Sequence, residues 1–454
     1  MALLQRLGFL LGLLSLSIGT VRCQSVSEAG DEVTILTGTK ATSTPDKGTP
    51  TYQTYTSRIT LATASTGDIS SAVPNVTESV SGDPSETVTY LTGVNPSSTQ
   101  LAGNGTASVT SSTSARPKPT NTRPCNNYPE FCDRKYSNIT EVGCHNSPFV
   151  RAGSAAANQA LPVIDQLNDG IRFLQAQIQW PANATDGPPH FCHTSCELLD
   201  AGPITEWLTT VKDWVAGHPY DVVTILLGNG NYSKPEFYAP LIESTGILQY
   251  VYHPPVVPMA LDDWPTLGQM ILSGQRVVMF MDYEANQTAY PWLLDQFSQM
   301  WETPFDPLDQ NFPCTVQRPP DLPADQAKNR LYLMNHNLNV QVSLLGAEVV
   351  VPAVSQLNQT NNATGFGSVG LAANNCRSDW GRAPNVLNVD FYNYGEYPGS
   401  VFEAAARVNN VTYNRPCCGA EASGALGRLL LLREDIARTS VGMALVWAVF
   451  WMLV

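Results

Sequence analysis

The part of the sequence that most constrains the fold runs from Pro124 to Cys418, where short apolar segments typical of β-strands alternate with segments typical of helices. The predicted strands are residues 141–145, 171–179, 190–193, 222–229, 276–283, 331–336 and 386–391. The predicted helices are residues 154–168, 203–217, 234–244, 266–273, 291–301 and 401–408. This alternation predicts an α/β fold with a mostly parallel sheet, and its length fits a TIM-type (β/α)8 barrel over residues 124–418.

The sequence before the barrel divides into two parts. Residues 1–23 contain a basic Arg6, then an apolar run, then small or polar residues, which is the pattern of a secretory signal peptide. Residues 24–123 are rich in Ser and Thr and have few large apolar side chains. Such a segment cannot bury enough surface to offset its chain entropy, which predicts a disordered Ser/Thr-rich stalk.

The sequence after the barrel, residues 419–454, resembles a second targeting segment. Small residues and a polar interval are followed by an apolar run that continues to Val454. This order predicts a GPI-attachment signal, with a single-pass membrane tail as the alternative. We therefore expect an extracellular or cell-surface protein that reaches the membrane through a C-terminal anchor.

Charge and cysteine content narrow the possible partners and the compartment. The formal net charge is -14 with only 25 Lys+Arg, so the chain is not expected to bind nucleic acid. Of the 10 cysteines, all but Cys23 follow the predicted signal peptide, and this odd remainder predicts disulfides with one cysteine left over. We expect a monomer.

Two histidines at the ends of predicted strands are the main candidates for catalysis. His145 is followed by Asn-Ser and His193 by Thr-Ser, both in turn-forming sequence. Active sites of parallel barrels lie at the C-terminal ends of the strands, so these histidines should share one site with Asp390. Other polar residues at predicted strand ends are Gln177, Asn229, Asp282 and His336. One imidazole can take a proton from an attacking hydroxyl while the other protonates the leaving oxygen of a phosphodiester.

Four segments carry a resemblance to a known family: residues 143–147, 170–177, 192–202 and 221–229. Together they resemble the catalytic X-domain of the phosphatidylinositol-specific phospholipase C superfamily, and in particular the secreted fungal PLC-like phosphodiesterases. The resemblance implies a distorted TIM barrel and in-line attack on phosphorus. It implies that His145 is the general base, that His193 is the general acid, and that Asp390 orients His145. The implied substrate is a phosphodiester or phospholipid.

The site departs from this family at its charged positions. Gln175 and Gln177 stand where family members place calcium ligands or an arginine, and period-2 alternation puts Arg172 on the opposite face. Neutral amides are poor calcium ligands. We therefore expect no metal and no cofactor, with phosphate binding left to Asn146, Gln175, Gln177 and Asn229.

Two classes of function follow. The histidine pair favours a phosphoric diester hydrolase that does not need calcium. The two glutamines favour a cell-surface binding protein that keeps the barrel but has weak or no turnover. Near His193, the pair Cys192 and Cys196 is interpreted as disulfide-bonded, either to each other or to Cys144, rather than as a zinc site.

Overall fold

The computed structural model describes residues 52–53, 55, 57–61, 124–181, 187–344 and 347–419. The predicted signal peptide, most of the predicted stalk and the C-terminal segment from residue 420 lie outside this part. Within the described residues, no helix has the length and apolar character needed to cross a bilayer. The predicted anchor therefore stays a prediction.

The barrel is a curved sheet of parallel strands. The strands in chain order are β1 Ile59–Thr60, β2 Glu141–Cys144, β3 Phe173–Gln179, β4 His190–His193, β5 Leu199–Pro203, β6 Val223–Gly228, β7 Val256–Val257, β8 Val277–Met281, β9 Leu293–Asp295, β10 Met300–Glu302, β11 Leu331–Asn335, β12 Asn339–Leu344, β13 Ala347–Pro352 and β14 Val386–Val389. The main order is β10-β11-β14-β2-β3-β6-β8-β9, with every neighbouring pair parallel. These strands follow the chain order around the sheet, and helix α5, of 4 residues, connects the two edge strands. The α/β barrel prediction is confirmed.

Helices connect most of these strands. They are α1 Val163–Asp169, α2 Ile204–Gly217, α3 Ala239–Ser244, α4 Leu267–Ser273, α5 Gln296–Gln299, α6 Ala324–Lys328, α7 Leu357–Thr360, α8 Val369–Trp380 and α9 Ser400–Asn409. Side chains alternate across the sheet: Val223, Ile225 and Leu227 join the larger hydrophobic cluster together with buried residues of α2, whereas Leu226 joins a second cluster. That second cluster holds the aromatic rings of Phe173 and Phe280. The strands are therefore covered on both faces, as a parallel barrel requires.

Two of the predicted helices differ clearly from the structure, and three helices of the structure have no counterpart in the prediction. The predicted helix 291–301 is wrong, because residues 293–295 and 300–302 are strands and only Gln296–Gln299 is helical. Each of these strands has 3 residues, all buried, so it shows no alternation of polar and apolar side chains. The predicted helix 154–168 begins only at Val163. Helices α6, α7 and α8 were not predicted.

The described residues of an N-terminal segment, 52–53, 55 and 57–61, pack on the barrel although they lie within the predicted stalk. Its strand β1 pairs antiparallel with β7, and the amide of Leu61 donates to the carbonyl oxygen of Pro255 at 3.0 Å. The ring of Tyr52 makes edge contacts with Tyr283 and Phe297. We call residues 52–61 the N-terminal strap. A strand of 2 residues is too short to show a sequence pattern.

The disulfides leave one cysteine free in the described chain. The bonded pairs are Cys125–Cys132, Cys192–Cys196, Cys314–Cys376 and Cys417–Cys418, and the buried Cys144 has a free thiol. The expected odd cysteine is thus Cys144. Cys192 is bonded to Cys196, the first of its two predicted partners, so these sulfurs form a disulfide rather than a zinc site.

Candidate active site

His145 lies immediately after strand β2 and is held by Asp390, which follows β14. Because β14 pairs with β2 in parallel, the two strand ends meet, and Nδ1 of His145 is 2.8 Å from a carboxylate oxygen of Asp390. Both side chains are buried, with 5% and 2% of their surface exposed. A carboxylate oxygen only accepts, so Nδ1 carries the proton and Nε2 is the nitrogen left for chemistry.

A segment between β2 and α1 holds both histidines. The amide of Asn158 donates to Asp390 at 3.0 Å and lies 3.3 Å from Nδ1 of His145. Two residues earlier, the carbonyl oxygen of Ala156 accepts from Nδ1 of His193 at 2.7 Å. His193 ends strand β4 and also stacks on Phe149, with 5.1 Å between ring centroids. Among the described residues, neither imidazole has a hydrogen-bond partner at Nε2.

The environment shifts the pKa values of the two histidines in opposite directions. Burial lowers the pKa of His145, but the negative charge and hydrogen bond of Asp390, with weaker effects of Asp306 and Glu302, outweigh burial and raise it. Burial and then the charge of His145 lower the pKa of His193, against the opposing effect of its hydrogen bond to Ala156. An imidazole with a raised pKa is the better proton acceptor, and one with a lowered pKa is the better donor. The shifts match a general base at His145 and a general acid at His193.

A buried hydrogen-bond network extends from strand β3 across the barrel to an arginine. The amide of Asn388 donates to Gln175 at 2.8 Å and to Asn335 at 3.3 Å. The amide of Asn335 donates to Glu302 at 3.2 Å. Glu302 pairs with Arg318, whose Nε donates to it at 3.0 Å and whose Nη2 donates to the same oxygen. Burial lowers the pKa of Arg318, but Glu302 outweighs burial and raises it, so the guanidinium stays charged.

Arg318 and His145 both contact Phe305. The guanidinium carbon of Arg318 is 3.9 Å from the centroid of the Phe305 ring, and the His145 ring makes an edge contact with it at 6.5 Å between centroids. Burial raises the pKa of Asp306, and the nearby charges of His145 and Arg318 oppose this effect. No feature of the sequence marks this cation, because Arg318 lies in a loop with no strand or motif beside it.

The remaining predicted phosphate-binding residues are placed differently from one another. Gln177 is half-buried near the end of β3, whereas Asn146 is fully buried at a φ of 50° with its side-chain oxygen unpaired in the described structure. Asn229 is also fully buried. Its amide nitrogen donates to the carbonyl oxygens of Ser233 and Tyr283, and its side-chain oxygen accepts from Ser233 and Tyr238. Asn229 therefore organises the loop after β6 and has no donor left for a phosphate.

Two further polar residues at strand ends have local partners. Asp282 accepts a hydrogen bond from the backbone N–H of Asn229 at 2.6 Å, and burial raises the pKa of Asp282 to about 7. His336 is buried against Phe312 and bonds the carbonyl oxygen of Thr360 at 2.9 Å. Burial lowers the pKa of His336 to about 3, so it stays neutral.

The residues around His145 do not fit a calcium site. Calcium is normally held by several carboxylate and carbonyl oxygens. Here Asp390 is bonded to His145, Glu302 is paired with Arg318, and β3 offers only amides. Across the described residues, three possible ligand atoms converge at Asp169, Cys417 and Cys418 rather than around His145.

Comparison with known proteins identifies the family. The family model described as PI-PLC X 1 matches residues 131–409, which is more than half of the chain. The chain belongs to the PI-PLC X family. The matched range begins before β2 and ends with α9, so it includes both histidines, Asp390 and Arg318.

Two fungal proteins and one bacterial protein of known structure are among those similar to this chain. A protein of Arthroderma benhamiae described as an uncharacterized secreted protein is 48% identical over 391 residues, covering 84% of this chain and 85% of that protein. The PI-PLC X domain-containing protein 1 of the same fungus is 42% identical over 274 residues, covering 60% and 86%. The phosphatidylinositol-specific phospholipase C of Listeria monocytogenes is a solved structure with 14% identity and a TM-score of 0.41, covering 62% of this chain and 96% of its own.

Proposed function

We propose that this protein is a phosphoric diester hydrolase that cleaves a phosphodiester by general acid/base catalysis with His145 and His193. The observation that carries the proposal is the pair of imidazoles with free Nε2 atoms, one bonded to a buried carboxylate and the other to a backbone carbonyl. Opposite pKa shifts on the two rings support the division of roles. The substrate class is a phosphodiester with a neighbouring hydroxyl, such as an inositol phospholipid.

The proposed reaction needs only proton transfers by these two side chains. Nε2 of His145 takes the proton of the neighbouring hydroxyl, whose oxygen attacks phosphorus. The bond between phosphorus and the leaving oxygen breaks, and protonated Nε2 of His193 gives its proton to that oxygen. The products of this step are a cyclic phosphate and an alcohol. Water then opens the cyclic phosphate: Nε2 of His193 takes a proton from the water, and protonated Nε2 of His145 gives its proton to the released ring oxygen, which returns both imidazoles to their starting states. Asp390 stabilises the imidazolium that forms at His145, and Gln175 and Gln177 are the proposed neutral donors to the phosphate.

We propose that the protein acts outside the cell or at the cell surface. The signal-peptide pattern of residues 1–23 supports this location, as does the similarity to a protein described as secreted. Attachment through a C-terminal GPI anchor remains part of the proposal. Release of the protein from intact cells by an enzyme that cleaves GPI anchors is the expected result, and a protein that stays in the membrane would indicate a single-pass tail.

The test is hydrolysis of phosphatidylinositol and of an aryl phosphodiester with a neighbouring hydroxyl by the purified protein, with calcium and with EDTA. We expect turnover to continue in EDTA. His145→Ala and His193→Ala should each lower the turnover rate at least about 10²-fold. His190→Ala is the matched control, because this histidine lies on the same strand β4 but pairs with Asp200. Turnover that requires calcium would contradict the proposed site.

A second function is favoured by the neutral side chains of β3. Without a charge at Gln175 or Gln177, the site loses an interaction that typically contributes about 10²–10³ in rate. Folded protein that binds phosphodiesters but turns none of them over would make this chain a cell-surface binding protein.

A further inference from the structure

Arg318 is a charged group at the barrel mouth that the two-histidine mechanism does not use. It lies in the loop after β10, and this loop returns to the strand that it leaves: the amide of Glu302 donates to the carbonyl oxygen of Arg318 at 2.8 Å. The amide of Gln317 donates back to Glu302 at 2.9 Å. The disulfide Cys314–Cys376 joins the same loop to α8. Arg318 is therefore held in a fixed position.

The pairing with Glu302 leaves part of the guanidinium free. Glu302 takes Nε and Nη2 of Arg318, and no acceptor for Nη1 lies within hydrogen-bond distance among the described residues. The carboxylate also accepts from Gln296 and Asn335, so its charge is shared among three donors. The Arg318 side chain is 16% exposed, whereas Glu302 is 1% exposed. The arginine, not the carboxylate, is the member of the pair that solvent and ligands can reach.

Arg318 and the proposed base share two neighbouring residues. Phe305 lies against both the guanidinium and the ring of His145, and Asp306 interacts electrostatically with both groups. The hydrogen-bond network through Asn335 and Asn388 connects Glu302 to Gln175 on β3. The cation therefore shares one buried polar system with the side chains on which the proposed reaction depends.

We propose that Arg318 is the catalytic cation of this site, binding a phosphate oxygen through Nη1 and replacing the charge that is missing at Gln175 and Gln177. This inference rests on the proposed function for its reaction, but it makes a claim about anion binding that holds without turnover. A fixed guanidinium in a water-poor site stabilises the extra negative charge of the pentacoordinate phosphorus and needs no reorganisation. Glu302 holds the guanidinium in place and moderates its affinity for anions.

The test measures binding of inorganic phosphate by ³¹P NMR titration of the full secreted protein and its variants. Arg318→Gln should weaken binding about tenfold to a hundredfold, as expected for loss of a charge-assisted hydrogen bond. Glu302→Gln should strengthen binding several-fold, because it removes the competing negative charge while keeping the side-chain shape. Opposite signs for two members of one ion pair are not expected if the pair only supports the fold.

The matched controls are Arg407→Gln and Glu403→Gln, which break an exposed ion pair of 2.9 Å on helix α9. They should leave phosphate affinity unchanged. If Arg318→Gln does not fold, Arg318→Lys keeps a charge but loses the planar fork, and should weaken binding less than tenfold. Unchanged affinity in folded Arg318→Gln, or weaker binding in Glu302→Gln, would overturn the inference.

The outcome for Arg318 is separable from the outcome for the histidines. If phosphate binding depends on Arg318 but the protein turns over no substrate, the anion site is supported and the hydrolase proposal is contradicted. If turnover depends on His145 but phosphate affinity does not depend on Arg318, the hydrolase proposal is supported and the role of Arg318 is contradicted.

Discussion

Two histidine–aspartate pairs in this chain have nearly equal geometry and different surroundings. His145 and Asp390 are 2.8 Å apart and almost fully buried, and His190 and Asp200 are 2.8 Å apart with 22% and 34% of their side chains exposed. Charge interactions are stronger where water is excluded. The buried pair can therefore fix the tautomer and basicity of its imidazole, whereas the exposed pair is screened by solvent.

Asp390→Asn is expected to lower the pKa of His145, because the replacement removes the main charge that opposes burial. The change should also reduce kcat about 10²–10⁴-fold, since an amide can select the wrong tautomer. NMR titration of the histidines measures the first effect and steady-state kinetics the second. Asp200→Asn is the control, and a similar loss of activity in it would show that the buried pair has no special role.

The pH profile of kcat/KM should be bell-shaped. The productive form has His145 neutral and His193 protonated, although the pKa of His145 is raised and that of His193 is lowered. Because the pKa of His193 is the lower of the two, the productive form is most populated between the two pKa values. Activity therefore falls below the pKa of His193 and above the pKa of His145. Asp390→Asn should thus move the alkaline limb to lower pH. An alkaline limb that does not move would assign it to another group.

At the level of elements, the β4–β5 hairpin carries the proposed acid outside the parallel sheet. Its first strand pairs antiparallel with β3, and the disulfide Cys192–Cys196 closes the turn on either side of His193. The position of the imidazole therefore depends on a short covalent loop as well as on its hydrogen bond to Ala156.

Removing this disulfide should affect activity more than stability. The sequence separation is 4 residues for Cys192–Cys196 and 62 for Cys314–Cys376, so loop entropy predicts losses of about 2 and about 4 kcal/mol respectively. We expect the Cys192→Ala/Cys196→Ala protein to stay folded with a reduced kcat, because His193 is less well placed. Denaturant unfolding and steady-state kinetics of this protein and of Cys314→Ala/Cys376→Ala make the comparison. Full activity without the short disulfide would mean that other contacts suffice.

The N-terminal strap is the second element whose role depends on packing. Leu61 is 7% exposed and Ile59 is 44% exposed on the same short strand region. Leu61→Ala should weaken strap docking by about 2 kcal/mol, and the Ile59→Ala control by much less. Hydrogen exchange of the Leu61 amide, which bonds Pro255, measures this local opening directly. Equal exchange rates in both variants would show that the side chain of Leu61 does not hold the strap.

At the level of the whole molecule, buried carboxyl groups make stability depend on pH. Burial raises the pKa of Asp295 to about 7, against its hydrogen bonds to Ser298. A carboxyl group with a raised pKa is more protonated in the folded than in the unfolded chain, so its contribution is present at low pH and is lost as the pH rises through about 7.

Asp295→Asn should therefore flatten the loss of unfolding free energy between about pH 4 and pH 7, while keeping a side-chain acceptor at the start of α5. Denaturant unfolding across this pH range measures the slope. Asp325→Asn, at an exposed position on α6, is the control and should leave the slope unchanged. A slope that is equal in all three proteins would mean that Asp295 is ionised in the folded state.

The elements and site residues that can be predicted from this sequence are those marked by neighbouring residues. Strands β2, β3 and β6 were predicted because their apolar runs are long enough to show a pattern, and β9 and β10 were missed because 3 buried residues show none. His145 and His193 were found as strand-end residues within a family motif. Asn158 and Arg318 had no such marker, since their importance comes from contacts with residues far away in sequence.

The sequence by itself determined the barrel, the family and the two histidines, because strand periodicity and short motifs are properties of neighbouring residues. Only the tertiary structure decided which groups meet at the barrel mouth. The family resemblance already implied the pairing of Asp390 with His145, whereas no motif indicates that Arg318 is connected to Gln175 through Glu302, Asn335 and Asn388. The electrostatic potential at a site is the sum of contributions from all charged groups near it, whichever part of the chain they come from. Folding is what brings those groups together.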